Sequence, residues 1–258
     1  MRLKKQEFIL WGVSMTKLIN IHLYLFQVPM ILAVLISPFL LTVEMWIISF
    51  IIAYMISMLQ MEIGLHRYFA HSSFYTNTFI HIILSFLSTI ACAGPIIGWV
   101  HTHLHHHTHS DTKKDPHSPD NMGKLKVFFR GWFMFNYNYL SDYSIRCRRD
   151  KTIAFFEKYY YTINILYVII LLIIDWRLIF PLYFFPGFLT VLVPSFVNTF
   201  LHKNNKAINS SIWSYPLWAL VGLWGGANHA AHHSRPRSYH YPKYDLSGII
   251  IKYLLRRA

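Results

Sequence analysis

Between Trp99 and His117 the chain reads WVHTHLHHHTHSDTKKDPH, seven histidines in nineteen residues, with aspartates at 111 and 115. Neutral imidazole is the commonest protein ligand for transition metals and suits Zn, Cu, Fe and Ni. On a helix each residue turns about 100°, so His103, His106 and His107 share one face. His101, His105 and His109 form a second stripe on nearly the opposite face. The rest of the chain chooses between them. His229, His232 and His233, in NHAAHH, repeat the His-x2-His-His spacing of the first stripe, and nothing repeats the second. A further pair, His66 and His71, stands in HRYFAH. The second stripe is therefore read as a solvated or substrate-facing outer face.

The elements that position these residues follow from composition. Of 258 residues, 54% are hydrophobic, 17% aromatic and only 14% charged. That balance points to an integral membrane protein of one domain, 1–258, rather than a soluble globule. Cys92 and Cys147 give neither a disulfide framework nor zinc-finger spacing. No small-residue cleavage site follows the basic start MRLKK, so no cleaved leader is expected. The net charge of +13 is read as the mark of a cytoplasmic face rather than of nucleic-acid binding.

Apolar runs at 19–41 and 44–63 each approach the ~20 residues that cross a bilayer. The short link between them carries Glu44 and no Lys or Arg. A second hairpin is expected from 161–180 and 182–201 around Asp175 and Arg177. The run 77–98 is interrupted by His81, Gly94 and Pro95, and 207–227 holds Ser, Asn, Pro and three Trp. Both are expected to be interfacial or re-entrant, because a crossing at 77–98 would put the first two histidine clusters on opposite membrane faces. The fold expected is thus all-α, four transmembrane helices in two hairpins, with a cytoplasmic helical cap holding a di-metal site. Arg177 is the one Lys or Arg left on the outer side, which favours four spans and places both termini in the cytoplasm.

On this map His66 and His71 follow the second span and His202 ends the fourth. Asn198 lies one turn earlier on the same face. His66, His71, His103, His106, His107, Asn198, His202, His229, His232 and His233 can therefore converge. Nine imidazoles exceed the capacity of one metal, whereas two metals with four or five nitrogens each would use them. His66 and His71 would project about 140° apart on a regular helix, which suits one ligand for each metal. His22 and His81, inside apolar runs, read as packing residues.

With these motifs in place the chain resembles the membrane-bound fatty-acid desaturases, particularly the Δ9 acyl-CoA type. The resemblance rests on His-x4-His in HRYFAH, and on Trp99 followed by His103-x2-His106-His107, Asp111 and Asp115-Pro-His117. Asn198-x3-His202 and His229-x2-His232-His233 complete it. Leu104, Ser72, Ala230 and Ala231 depart from residues common in the family. What the resemblance implies is a di-iron centre, two Fe, that uses O2 and two electrons to place a cis double bond, at Δ9, in a saturated acyl chain. The acyl carrier is CoA, a lipid or an acyl-carrier protein. The resemblance makes Trp99 a tunnel-lining residue, with Asp111 and Asp115 as carboxylates behind the ligands, and Glu62, one turn before His66, is read from its position as another. No cytochrome-type domain stands in the sequence, so electrons are expected from a separate ferredoxin or cytochrome b5 that the basic face would steer.

Two other classes use the same residues. A histidine-box hydroxylase begins with the same hydrogen abstraction and returns oxygen instead of removing a second hydrogen. A metal transporter or sensor would place its polar groups near the bilayer midplane, whereas these ligands cluster at helix ends.

Overall fold

The computed structural model of the chain describes residues 15–130, 147, 149–203, 206–207, 224–225, 228–241 and 245–255. Among the described residues, four helices are long and apolar enough to cross a membrane: α1 (Lys17–Leu40), α2 (Val43–Ala70), α8 (Tyr160–Leu178) and α9 (Phe180–Phe200). Between the two pairs lie α3 (Thr78–Thr89), α4 (Ile96–His109), α5 (Pro119–Met122), α6 (Lys124–Arg130) and α7 (Lys151–Lys158). After α9 come a two-residue antiparallel pair, β1 (His202–Lys203) with β2 (Lys206–Ala207), then α10 (His229–Ser234) and α11 (Leu246–Leu255).

Each hairpin turns on local chemistry. Thr42 caps α2 by accepting from the Met45 N–H at 3.3 Å, and the Trp46 indole reaches back to Ser37 Oγ at 3.0 Å. Asp175 caps the turn into α9 through the Arg177 N–H at 2.9 Å. Large apolar side chains near the tips, Phe39, Val43 and Ile173, are more than 70% exposed, as a lipid-facing surface requires. The four spans are unequal: 56% of the apolar stretch of α2 and 61% of that of α9 are buried, against 28% for α1 and 11% for α8. The inner pair, α2 and α9, is therefore the pair that carries His66, Asn198 and the approach to His202.

The run 77–98 is two helices rather than one. Asn77 caps α3 by accepting from the Ile80 N–H at 2.8 Å, and α3 spans only roughly 18 Å. The chain then reverses through Cys92 (φ 57°) and Gly94 (φ 96°) before Pro95 leads into α4. Side chains from other elements satisfy that irregular backbone. His22 Nε2 donates to the Cys92 carbonyl at 3.0 Å, Asn164 to the Thr89 carbonyl at 3.1 Å, and the Thr190 hydroxyl to the Ala91 carbonyl. Glu157 accepts from the Ile97 N–H at 3.1 Å. Non-helical backbone is tolerable inside a membrane protein only under such conditions. The expectation for 207–227 falls outside the described residues, apart from Ala207, Trp224 and Gly225.

Candidate metal centre

The last turns of α2 are wound as a π-helix, Met58–Ala70. Its i→i+5 bonding continues into the cap, where the His71 N–H donates to the His66 carbonyl at 3.1 Å. Residues five apart then stand over one another, and the two rings lie 4.9 Å apart. This differs from the regular-helix expectation that His66 and His71 would serve different metals. On α4, His103 and His107 turn the same way, while His106 is displaced toward α9 and α10.

The outcome, among the described residues, is two groups of imidazoles, each with ligand atoms within 4.8 Å of one another. One comprises His66, His71, His103, His107 and His232, the other His106, His202, His229 and His233. All nine histidines singled out from the sequence fall in one group or the other. Asn198 lines a cavity that both groups border. Of the alternative stripe, His105 and His109 face outward and bond to the Lys114 and His105 carbonyls. His101 is fully buried, so the outer-face reading does not hold for it.

The rings are held from behind. His66 Nδ1 donates to Glu62 at 2.9 Å, His106 Nδ1 to Asp115 at 2.8 Å, and His202 Nδ1 to Asp111 at 3.0 Å. These carboxylates are the three expected behind the ligands. A fourth support, Tyr241, was not legible: its hydroxyl donates to the Arg235 carbonyl at 2.8 Å, so it accepts from His232 Nδ1 at 3.2 Å. With Nδ1 carrying the proton, each of these rings turns an Nε2 lone pair inward.

That tautomer pattern tests whether the donor set fits a metal. His66 Nε2 and His232 Nε2 stand 3.0 Å apart. With both rings in the neutral, ligating form and their Nδ1 protons committed, no hydrogen lies between these two acceptors. Two opposed lone pairs at that distance are repulsive unless a cation sits against them. In the other group His106 Nε2 and His233 Nε2 are buried without a partner among the described residues. Orphaned buried nitrogens require an explanation, and a nitrogen-ligated metal in each group supplies one.

Electrostatics agrees. Burial, reinforced by neighbouring histidines, holds His71, His103, His107, His229 and His232 well below the usual imidazole range, and His233 at about 3. Neutral rings are the ligating form. Burial alone would raise Asp115, but its hydrogen bond to His106 and the Asp111 and His117 N–H groups outweigh it and hold it at about 2.

A cavity of about 60 Å³ borders both groups. His66, His103, His229 and His232 form its polar wall, and Met61, Val193, Pro194 and Val197 its apolar one. Trp99 lines it too, buried and stacked on His103 at 4.8 Å.

Comparison with known proteins gives a consistent picture. A family model described as fatty acid desaturase matches residues 41–247. The chain is 37% identical over 117 residues to a hex-5-enoyl-[acyl-carrier protein] acetylenase of Moorena producens, covering 41% of this chain and 36% of that one. It is 30% identical over 185 residues to an sn-1 stearoyl-lipid 9-desaturase of Anabaena variabilis, covering 68% and 66%. With a Delta-9 acyl-lipid desaturase of Arabidopsis thaliana it shares 24% over 222 residues, 79% and 70% of the two chains. The chain thus spans less than two thirds of the length of the first two.

Proposed function

The chain belongs to the fatty acid desaturase family, and from that premise we propose that it is an O2-dependent fatty acyl desaturase forming a cis double bond, at Δ9, in a saturated chain. The reaction balances as R–CH2–CH2–R′ + O2 + 2 e⁻ + 2 H⁺ → R–CH=CH–R′ + 2 H2O. The observation that carries the proposal is the shared cavity: an acyl chain against Met61, Val193, Pro194 and Val197 lies directly beside imidazoles of both groups.

His66, His71, His103, His107 and His232 would hold one iron, and His106, His202, His229 and His233 the other, with Asn198 facing the cavity that both groups border. Two irons held there supply the reduction of O2 and the removal of two hydrogens from unactivated carbon. The chain's own residues do the remainder. Glu62, Asp111, Asp115 and Tyr241 fix the tautomer and orientation of four rings. Trp99 fixes the plane of His103. The apolar wall holds the chain and excludes water, which protects a reactive centre from side reactions. The site and both termini face the cytoplasm on this reading, where the excess of basic residues steers an acidic ferredoxin or cytochrome b5. An acyl-lipid carrier is supported by the 9-desaturase relatives.

A second reading, dehydrogenation of an existing double bond in a carrier-protein-bound chain, is favoured by the acetylenase relative and the small cavity. Expression in a desaturase-deficient host, with mass spectrometry of total fatty acids, separates the readings. A new cis-alkene supports the first and an alkyne the second. Hydroxylated product alone would move the assignment to oxygen insertion, and neither product with a competent electron donor refutes the proposal.

A further inference from the structure

Arg67 stands next to His66 on α2 and is 1% exposed. Burying a guanidinium costs several kcal/mol unless every N–H finds a partner. Here all five do. Nε donates to Glu62 Oε1 at 2.8 Å; Nη1 donates to the Tyr239 carbonyl at 2.6 Å and Asp245 Oδ2 at 3.0 Å. Nη2 donates to Asp245 Oδ1 at 2.9 Å and the Trp224 carbonyl at 3.5 Å. The guanidinium also lies 5.4 Å over the Tyr241 ring. Gly225 (φ 100°) lets the chain pass across this fork, for a Cβ there would come within 2.2 Å of Arg67 Nη2.

Both carboxylates continue outward. Glu62 Oε2 accepts from His66 Nδ1, while Asp245 accepts from the Tyr241 N–H at 2.8 Å and the Gly248 N–H at 2.9 Å. Tyr241 in turn holds His232. The contacts therefore close a circuit: His66, Glu62, Arg67, Asp245, Tyr241, His232, and back to His66 across the facing Nε2 atoms. Every side chain in that circuit serves the five-imidazole group. The four-imidazole group is anchored separately, by Asp111 and Asp115.

We propose that Arg67 and Asp245 are positioning residues that make Tyr239, Tyr241 and Gly248 a working part of the five-imidazole metal site and of that site alone. The inference rests on the reading that both groups bind metal. Arg67 acts as the strut: it joins a carboxylate behind His66 to a carboxylate that seats the backbone behind His232. Lys could not replace it, since one ammonium cannot present a bidentate fork and a third lateral donor together.

The test uses the full chain in detergent, loaded with Co(II), with bound metal per protein and the ligand-field absorption of Co(II) as readouts. His103→Ala and His202→Ala supply reference spectra for loss of either group. Asp245→Asn and Arg67→Lys are expected to fall from two metals toward one, leaving the spectrum that His103→Ala leaves. Tyr241→Phe cuts the circuit without touching the fork. It should weaken one metal by about 10- to 100-fold and leave the other unchanged, which keeps the test decisive if the Arg67 variant fails to fold. Variants that retain both metals with the wild-type spectrum overturn the inference, as does equal weakening of both metals in Tyr241→Phe. Wild-type protein that takes up no Co(II) overturns the metal reading itself, and the inference with it.

Discussion

At the scale of single residues, the geometry turns on which imidazole nitrogen carries the proton. His202 and His106 owe their inward Nε2 to Asp111 and Asp115. If, as proposed, each group holds its own iron, His202→Ala should lower bound iron by about half and abolish turnover. Asp111→Asn should weaken the same ion by about 10- to 100-fold, and His105→Ala, on the outer face, should change neither; iron assays on purified protein check all three. Acid acts on the same atoms. The buried rings have depressed values in the folded state and ordinary ones near 6.5 when unfolded. Below that value the unfolded chain binds more protons, so metal-free stability is full above about pH 6.5 and falls as pH drops. Thermal unfolding followed by tryptophan fluorescence from pH 8 to 5.5 should show a steadily lower midpoint; a flat profile would mean that the rings are not buried neutral.

At the scale of elements, the decisive feature is the π-wound end of α2. The spacing of His66 and His71 was legible, but their convergence was not, because five residues give opposed faces on an ordinary helix and a shared face on a π-helix. A similar limit applied to Asp245, whose role depends on Arg67, 178 positions away in the chain. One signal did exist: an Arg inside an apolar span requires a counter-charge, and the chain has only 11 acidic residues to provide it. By contrast His103, His106, His107, His229, His232 and His233 were legible, because ligand chemistry repeats at fixed spacing. The same helix end packs α3 closely at Gly64, where a Cβ would meet Ser88 Oγ at 2.4 Å. Gly64→Ala should cost roughly 1–3 kcal/mol, and Ser88→Gly in the same chain should recover part of the lost melting temperature.

At the scale of the whole molecule, two hairpins bring the inner spans to the ligands while the outer spans face lipid. The four-span reading was legible from hydropathy and the placement of Arg177. The chain reversal at 90–95 was legible only as an interruption, since its satisfaction by His22, Asn164, Thr190 and Glu157 depends on contacts distant in sequence. Sidedness remains a proposal with a direct test. Cys92 and Cys147 are both buried, and burial pushes the Cys92 thiol up to about 12, so background labelling should be low. Cysteines placed at the exposed positions Lys113 and Lys158 should react with an impermeant maleimide from one side of the membrane, and one at Arg177 from the other. Reaction of Lys113 and Lys158 from opposite sides would refute the topology.

The facing pair His66 and His232 are 166 positions apart in the chain. An ion gripped by both acts on the polymer as a covalent staple would, closing a loop of that length. Loop-closure entropy for such a cross-link is worth about 5 kcal/mol, comparable to the net stability of many whole domains. Metal supply would then govern not only turnover but persistence of the fold. Chains made under iron starvation should be cleaved within the segments between the ligand-bearing helices, while iron-replete chains survive the same protease.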